Sequence, residues 1–260
     1  MVRSLLRRER PGLPPRWRDL LAARSAQWAL LGDGERDRLG AIADELLRTK
    51  RWEAANGVTM TDEIRTLVAA HAALLVLGLD ESWYDGVGTI VIRRGAMRRP
   101  APVPSWGPVR GVVDGSPGPI DGEAHDGAGP VMINWTSARR EAANPRLGRD
   151  VTMHEFAHKL DMRDRMIDGT PFIADEAERR RWVEVCTTAF DALRAATGGS
   201  VLRPYAATNP GEFFAVATET FFTRPVELAS AEPALYDVLR TFFRQDPAAR
   251  VNAAIGAGPV

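Results

Sequence analysis

The spacing of apolar residues predicts helices in the first third of the chain. One of them has apolar residues at i, i+3, i+4 and i+7, namely Leu39, Ile42, Ala43 and Leu46. This spacing gives a helix one apolar stripe that faces a core. Asp33 precedes the stripe, and we interpret it as the residue that caps the helix. Residues 1–60 are therefore expected to form a helical N-terminal portion.

A second helix is predicted to begin after Thr61, with Asp62 and Glu63 in its first turn, where negative charge stabilises a helix. Its inward residues are Ile64, Leu67, Val68, Leu74 and Leu75. His71 lies on the same helix between alanines. We interpret His71 as a hydrogen-bonded core histidine, because a helix this apolar is buried.

Strands are predicted further along, at the β-branched run 89–92 and at 131–135. The second strand could offer an edge to an extended peptide. Between them, residues 95–130 hold 8 Gly and 7 Pro and are predicted to be a loop insertion. Such a loop could border a substrate cleft or be a surface insertion. Helices at 176–195 and 210–222 follow, so the fold class is α+β, mostly helical with a small β-sheet.

Composition narrows the possible partners. The 260 residues are 45% hydrophobic and 26% charged, as in globular proteins, and one domain over 1–260 is expected. Lys+Arg and Asp+Glu are both 34, so we expect no direct nucleic acid and no membrane as partner. The single cysteine, Cys186, excludes an internal disulfide and is interpreted as a small buried hydrophobe, and a cytoplasmic location is expected.

The motif that carries chemistry is His154-Glu155-x-x-His158. Residues four apart lie on one helix face, so both imidazoles can bind one zinc ion with Glu155 beside its water. A catalytic zinc takes three protein ligands. Asp164 is the third ligand in one pattern, but that pattern needs a glycine where this chain has Asp161.

Two glutamates on the last predicted helix are the other candidates for the third ligand. Glu212 and Glu219 are seven residues apart, about 10 Å along a helix, so only one of them can bind the ion. Glu212 also stands three residues after Asn209, where its carboxylate could close a capping box on the Asn209 amide. The residues themselves leave this choice open.

Two segments together resemble the Mlc titration factor A family (MtfA), zinc-dependent peptidases of bacteria. Residues 154–161 read HEFAHKLD, and Tyr205 precedes residues 209–222, which read NPGEFFAVATETFF. The resemblance extends from about Leu39 to Phe243. The catalytic domain of anthrax lethal factor is similar in the same two segments.

The resemblance implies a zincin-like (gluzincin) metallopeptidase domain with the sheet beside the active-site helix. It implies His154, His158 and Glu212 as zinc ligands, Glu155 as the general base and Tyr205 as the residue that points at the reacting carbonyl. Glu219 matches no ligand. The function implied is a zinc-dependent peptidase acting on a peptide or protein substrate, in an aminopeptidase-like manner.

The sequence leaves open the choice between two functions and between two positions for Asp161. The family's name implies a regulatory protein that binds and sequesters a transcriptional repressor of sugar metabolism, which would have no need of Glu155. Asp161 stands on the ligand face of its helix, where it either accepts the second N–H of an imidazole or lies in water at the helix end.

Overall fold

The computed structural model describes residues 13–79, 81–95, 97–98, 119–120, 122–124, 129–164 and 166–256. Most of the predicted 95–130 loop therefore lies outside the described residues. Within them the fold is α+β and mostly helical, as predicted.

The helices in the described part of the chain are α1 (Pro15–Arg24), α2 (Ala26–Ala29), α3 (Asp33–Thr49), α4 (Asp62–Leu75), α5 (Trp135–Ala143), α6 (Val151–Asp161), α7 (Glu176–Ala195), α8 (Pro210–Thr223), α9 (Pro225–Ala231), α10 (Pro233–Phe243) and α11 (Pro247–Gly256). The strands are β1 (Arg51–Ala54), β2 (Thr89–Arg93), β3 (Met97–Arg98), β4 (Pro119–Ile120), β5 (Gly122–Ala124) and β6 (Val131–Asn134). Short 3-10 turns lie at Glu81–Tyr84, Pro145–Leu147, Met162–Asp164 and Pro204–Ala207.

The larger sheet has the strand order β1-β2-β6-β5. β1, β2 and β6 are parallel, in a register that pairs Ile90 with Val131 and Ile92 with Ile133. These four side chains are fully buried, as expected for central strands of a parallel sheet. β5 pairs antiparallel with β6, and β3 and β4 form a separate antiparallel pair.

Two predictions about the strand at 131–135 are wrong. β5 covers the free side of β6, so β6 is a central strand and offers no edge to a peptide. The strand also ends at Asn134, whose side-chain oxygen accepts the Thr136 N–H and caps α5, so that Trp135 is already helical.

The helix starts show how local chemistry sets the boundaries. The Thr61 hydroxyl accepts the Ile64 N–H at 3.3 Å, which confirms the predicted cap of α4. The predicted cap of α3 is wrong by one residue. Gly32 takes the cap position because its N–H donates to the Glu35 carboxylate at 3.1 Å, and Asp33 is the first helical residue.

α6 occupies the centre of the arrangement. It packs against α8 on one side, against α4 on another, and against β6 and β5. An aromatic cluster holds α8 in place against α7 and α10, and its members are Trp182, Phe214, Phe221, Phe222, Phe242 and Phe243. No helix in the described residues is both long enough and apolar enough to cross a bilayer.

Candidate metal centre

Asp150 fixes the start of α6, the helix that carries both histidines. Its carboxylate accepts the Met153 N–H at 3.0 Å, which caps the helix. His154 and His158 then lie one turn apart on the same face, as the motif predicts. Their Nε2 atoms are 3.3 Å apart.

α8 brings Glu212 to these two nitrogens. Glu212 Oε2 lies 3.1 Å from His154 Nε2 and 3.5 Å from His158 Nε2. Only half of the predicted capping box forms, since Asn209 accepts the Glu212 N–H at 2.9 Å while the Glu212 carboxylate turns toward the histidines. α8 is therefore capped without the Glu212 carboxylate, which lies in the cluster.

The three facing atoms lie close to the spacing of zinc ligands. A tetrahedral zinc with bonds of about 2.0 to 2.2 Å to nitrogen and oxygen separates its ligand atoms by about 3.3 to 3.5 Å. The three separations in the structure are 3.1, 3.3 and 3.5 Å. The group of His154, His158 and Glu212 could therefore hold a metal ion.

Glu219 takes the other side of the first imidazole. Its Oε1 lies 2.6 Å from His154 Nδ1, and its Oε2 accepts the Asp150 N–H at 2.8 Å. Arg203 forms an ion pair with the same carboxylate. A carboxylate in this position fixes the ring and the tautomer of a metal-binding histidine.

The charges of this cluster shift the pKa values of its members. Burial alone would lower the pKa of His154, but the charges and bonds of Glu219 and Glu212 outweigh burial and raise it. Burial would raise the pKa of Glu212, yet the bonds and charges of His154 and His158 hold it below its usual range. Without a metal, the cluster therefore keeps a proton on His154 and a negative charge on Glu212.

Neither expectation for Asp161 is correct. The side chain is fully buried and its Oδ2 accepts the Gly169 N–H at 3.0 Å, so it does not lie in water. It orients neither imidazole, because His154 Nδ1 contacts Glu219 and His158 Nδ1 has no hydrogen-bond partner among the described residues. Asp161 ties the segment after α6 to the helix that carries the histidines. The other candidate, Asp164, falls in the 3-10 turn beyond α6, and its side chain is not described.

Glu155 lies beside the ligand cluster and is 3% exposed. Burial raises its pKa to about 8, while the positive charges of His154 and Arg93 act in the opposite direction. Its Oε2 has no hydrogen-bond partner among the described residues. A divalent cation nearby would favour the ionised form of this carboxylate.

Tyr205 belongs to the turn Pro204–Ala207 just before α8. Its hydroxyl donates to Glu212 Oε1 at 3.0 Å, while 46% of the residue remains exposed. Burial, followed by the Glu212 charge, raises the pKa of Tyr205, so that its hydroxyl keeps its proton at neutral pH. The structure thus places a hydrogen-bond donor at the solvent side of the cluster.

Comparison with known proteins identifies the family. The family model described as "Glucose-regulated metallo-peptidase M90" matches residues 2–244. The chain belongs to this family. Membership of the M90 family implies a metal ion, and the His154, His158 and Glu212 group supplies a place that could bind one.

Relatives in the M90 family extend over most of the chain. The chain is similar to "Mlc titration factor A" of Edwardsiella ictaluri, at 33% identity over 86% of this chain and 85% of that protein. The protein of the same name from Yersinia pestis is 32% identical over 86% of this chain and 83% of that protein. An uncharacterised protein of Synechocystis, slr2042, is 34% identical over 92% and 86%. These relatives confirm the resemblance to the Mlc titration factor A family.

Sequence reasoning missed two residues that surround the histidines of this M90 protein. Asp150 lies four residues before His154 and directly before the first residue of α6, where an aspartate is a recognisable cap signal. Arg203 gave no such signal, because its link to Glu219 joins residues on separate elements. The core position predicted for His71 is confirmed.

Proposed function

We propose that this protein is a zinc-dependent peptidase with a zincin-like active site. The observation that carries the proposal is the triangle of His154 Nε2, His158 Nε2 and Glu212 Oε2, whose sides lie within about 0.2 Å of the spacing of zinc ligands. A structural zinc site is closed by four protein ligands, whereas three ligands leave one position open. The three-ligand group therefore favours a catalytic zinc.

The reaction needs a proton acceptor, and Glu155 is the residue that fits. A zinc ion held by the three ligands supplies Lewis acidity, which polarises a peptide carbonyl and acidifies water. Glu155 accepts the proton of the attacking water at its carboxylate and returns it to the departing amine. Burial raises the pKa of this carboxylate, and a divalent cation at the three ligands would lower it. A carboxylate whose pKa lies near neutrality both takes and releases a proton readily.

Tyr205 stabilises the negative charge that develops on the carbonyl oxygen of the substrate. Its hydroxyl is protonated and lies next to Glu212, so it can donate a hydrogen bond to an oxygen at the open side of the site. Donors of this kind contribute a few kcal/mol to a transition state. Aminopeptidase-like cleavage is supported by the family resemblance alone.

A second candidate function comes from the name of the relatives, "Mlc titration factor A". In this alternative, the protein binds and sequesters a transcriptional repressor. Binding without hydrolysis has no use for the proton acceptor Glu155. The two candidates therefore differ at one residue.

The test compares Glu155→Gln with the parent and with Glu184→Gln, the same change at an exposed position of α7. We expect full zinc content in all three proteins by elemental analysis. Peptide hydrolysis should fall by about 10² to 10⁴ only in Glu155→Gln, the usual loss of a general base. Aminopeptidase-like cleavage is tested by comparing peptides with free and with acetylated amino termini. An aminopeptidase should hydrolyse only those whose amino terminus is free. Undiminished hydrolysis by Glu155→Gln would overturn the proposed mechanism and favour the regulatory function.

A further inference from the structure

A buried chain of hydrogen bonds runs from the N-terminal helices to the metal centre. Ser25 Oγ lies 2.9 Å from His71 Nε2, and His71 Nδ1 lies 2.5 Å from Asp150 Oδ2. The backbone N–H of Asp150 donates to the Glu219 carboxylate, and that carboxylate contacts His154 Nδ1. We call these five residues the Ser25–His154 chain.

Ser25, His71 and Asp150 are the three residue types of a hydrolase triad, but they cannot form an active site here. All three are buried. The cavity next to Ser25 and His71 has a volume of about 10 Å³, lined by apolar residues that include Leu21, Trp28 and Leu74. Such a space holds one water molecule at most, so no acyl substrate reaches the serine.

The Ser25–His154 chain can instead fix the positions of its members. Asp150 has both carboxylate oxygens engaged, one by the Met153 N–H that caps α6 and the other by His71. The rotation of its side chain and the position of its backbone are therefore fixed together. Its N–H determines where Glu219 Oε2 lies, and the opposite oxygen of Glu219 determines the orientation of the His154 ring.

We propose that His71 is a positioning residue for the metal centre, acting through Asp150 and Glu219 on the imidazole of His154. The inference rests on the proposed function insofar as it takes His154 to be a metal ligand. It assigns a role to α4 and to the segment at Ser25, which contribute no ligand to the centre. Partners behind a metal-binding histidine typically change metal affinity by 10- to 100-fold.

The sharpest test uses two substitutions of the same residue. The amide nitrogen of asparagine falls near the Nδ1 position of a histidine, and that of glutamine falls near the Nε2 position. His71→Asn therefore keeps a donor toward Asp150, and His71→Gln keeps a group toward Ser25 while losing the Asp150 bond. Asparagine is the smaller residue, so a role in packing alone predicts that His71→Asn is at least as damaging as His71→Gln.

Tyr84→Phe is the matched control. The Tyr84 hydroxyl donates to the Ala72 carbonyl of α4 at 2.8 Å and is buried, so its loss removes a hydrogen bond next to His71 without touching the Ser25–His154 chain. Zinc affinity is measured for each protein by competition with a chelator, and unfolding temperature is measured alongside. We expect affinity about 10-fold lower in His71→Gln, and within about 3-fold of the parent in His71→Asn and Tyr84→Phe.

Equal losses of zinc affinity in His71→Asn and His71→Gln, an equal loss in Tyr84→Phe, or no loss in His71→Gln would each overturn the inference. Because the readout is metal affinity, these outcomes are separate from the failure of the proposed function, which is shown by a parent protein that binds no zinc.

If a His71 variant does not fold, imidazole NMR of the parent protein tests the same inference. The His71 Nδ1–H signal should move on addition of zinc, and an unmoved signal alongside changed His154 and His158 signals contradicts the proposal.

Discussion

Glu219 Oε1 lies 2.6 Å from Nδ1 of His154, although Glu219 stands two turns beyond Glu212 on the same helix. Glu212 faces the Nε2 atom of that imidazole, so two carboxylates from one helix hold opposite nitrogens of one ring. The spacing of seven residues that prevented both glutamates from binding one ion is what places them on the two sides of His154.

Glu212→Gln and Glu219→Gln should therefore lower zinc affinity by different amounts. Replacing Glu212 removes one of three proposed ligands, and we expect no stoichiometric zinc at micromolar concentrations. Replacing Glu219 leaves the ligands in place and should lower zinc affinity by about 10- to 100-fold. Chelator competition measures both, and an empty site in Glu219→Gln together with a filled site in Glu212→Gln would reverse the assignment.

Removal of zinc should lower the unfolding temperature. His154 and His158 come from α6 and Glu212 from α8, so an ion bound to all three links two packed helices and binds only the folded chain. At a free zinc concentration 100 times the Kd, the added stability is about 2.7 kcal/mol. Thermal scans with EDTA and with added zinc check this, and Glu212→Gln is the control in which the two scans should coincide.

Tyr205→Phe should slow hydrolysis while leaving the zinc content unchanged. The change removes only the hydroxyl, which donates to Glu212 in the structure and is proposed to donate to the substrate oxygen. We expect kcat to fall by about 10² to 10³, the effect of losing one such donor, with KM within a few-fold of the parent. A rise in KM with kcat unchanged would show that the hydroxyl binds the substrate and the transition state equally.

Glu141 should make stability depend on pH. Burial raises its pKa from 4.5 to about 6, while its Oε2 accepts the Val151 N–H at 2.9 Å at the start of α6. Between those two pH values the folded chain holds a proton that the unfolded chain has released, so the stability contributed by this residue falls as pH rises from 4.5 to 6. The total change is at most about 2 kcal/mol.

Glu141→Gln does not titrate and removes this contribution. Urea unfolding of parent and variant between pH 4.5 and 7 gives the difference in their free energies of unfolding. That difference should move against the parent as pH rises and level off above pH 6. A difference independent of pH would show that the Glu141 pKa is not raised in the folded chain.

Cys186 should react slowly with thiol reagents even though it lies on the wall of a groove of about 760 Å³, between α7 and the first turn of α8. Burial raises its pKa to about 12. The reactive thiolate is then roughly one molecule in 10,000 at pH 8. Ellman's reagent should modify the native protein at least 100-fold more slowly than the urea-unfolded chain, and comparable rates would contradict burial of the thiol.

The sequence predicted those helices whose signals come from residues close together in the chain. The periodic apolar residues of α3 and α4, the cap at Thr61 and the HExxH spacing of α6 all lie within a few residues of one another. β1, α5 and α10 were not predicted. β1 has four residues and is half exposed. The residue that caps α5, Asn134, was assigned to a strand that was expected to continue through Trp135, and α10 has no side-chain cap.

The candidate site could be predicted only as far as its motif. His154, Glu155 and His158 are contiguous, and the family resemblance supplied Glu212. The hydrogen bonds that orient His154 join residues 65 and 69 positions apart, and the bond from His71 to Asp150 spans 79. Nothing in the spacing of a single sequence reports such contacts, which depend on how α4, α6 and α8 pack.

The separation of the ligands along the chain also sets an order of events during synthesis. Both histidines precede Glu212, the nearer by 54 residues, so at about 5 to 20 residues per second the ribosome takes roughly 3 to 11 s to add the missing carboxylate. Throughout that interval the nascent chain has two imidazoles and a proton acceptor but lacks its third ligand. The proposed protease activity is therefore withheld until the C-terminal part of the molecule has emerged and packed against α6.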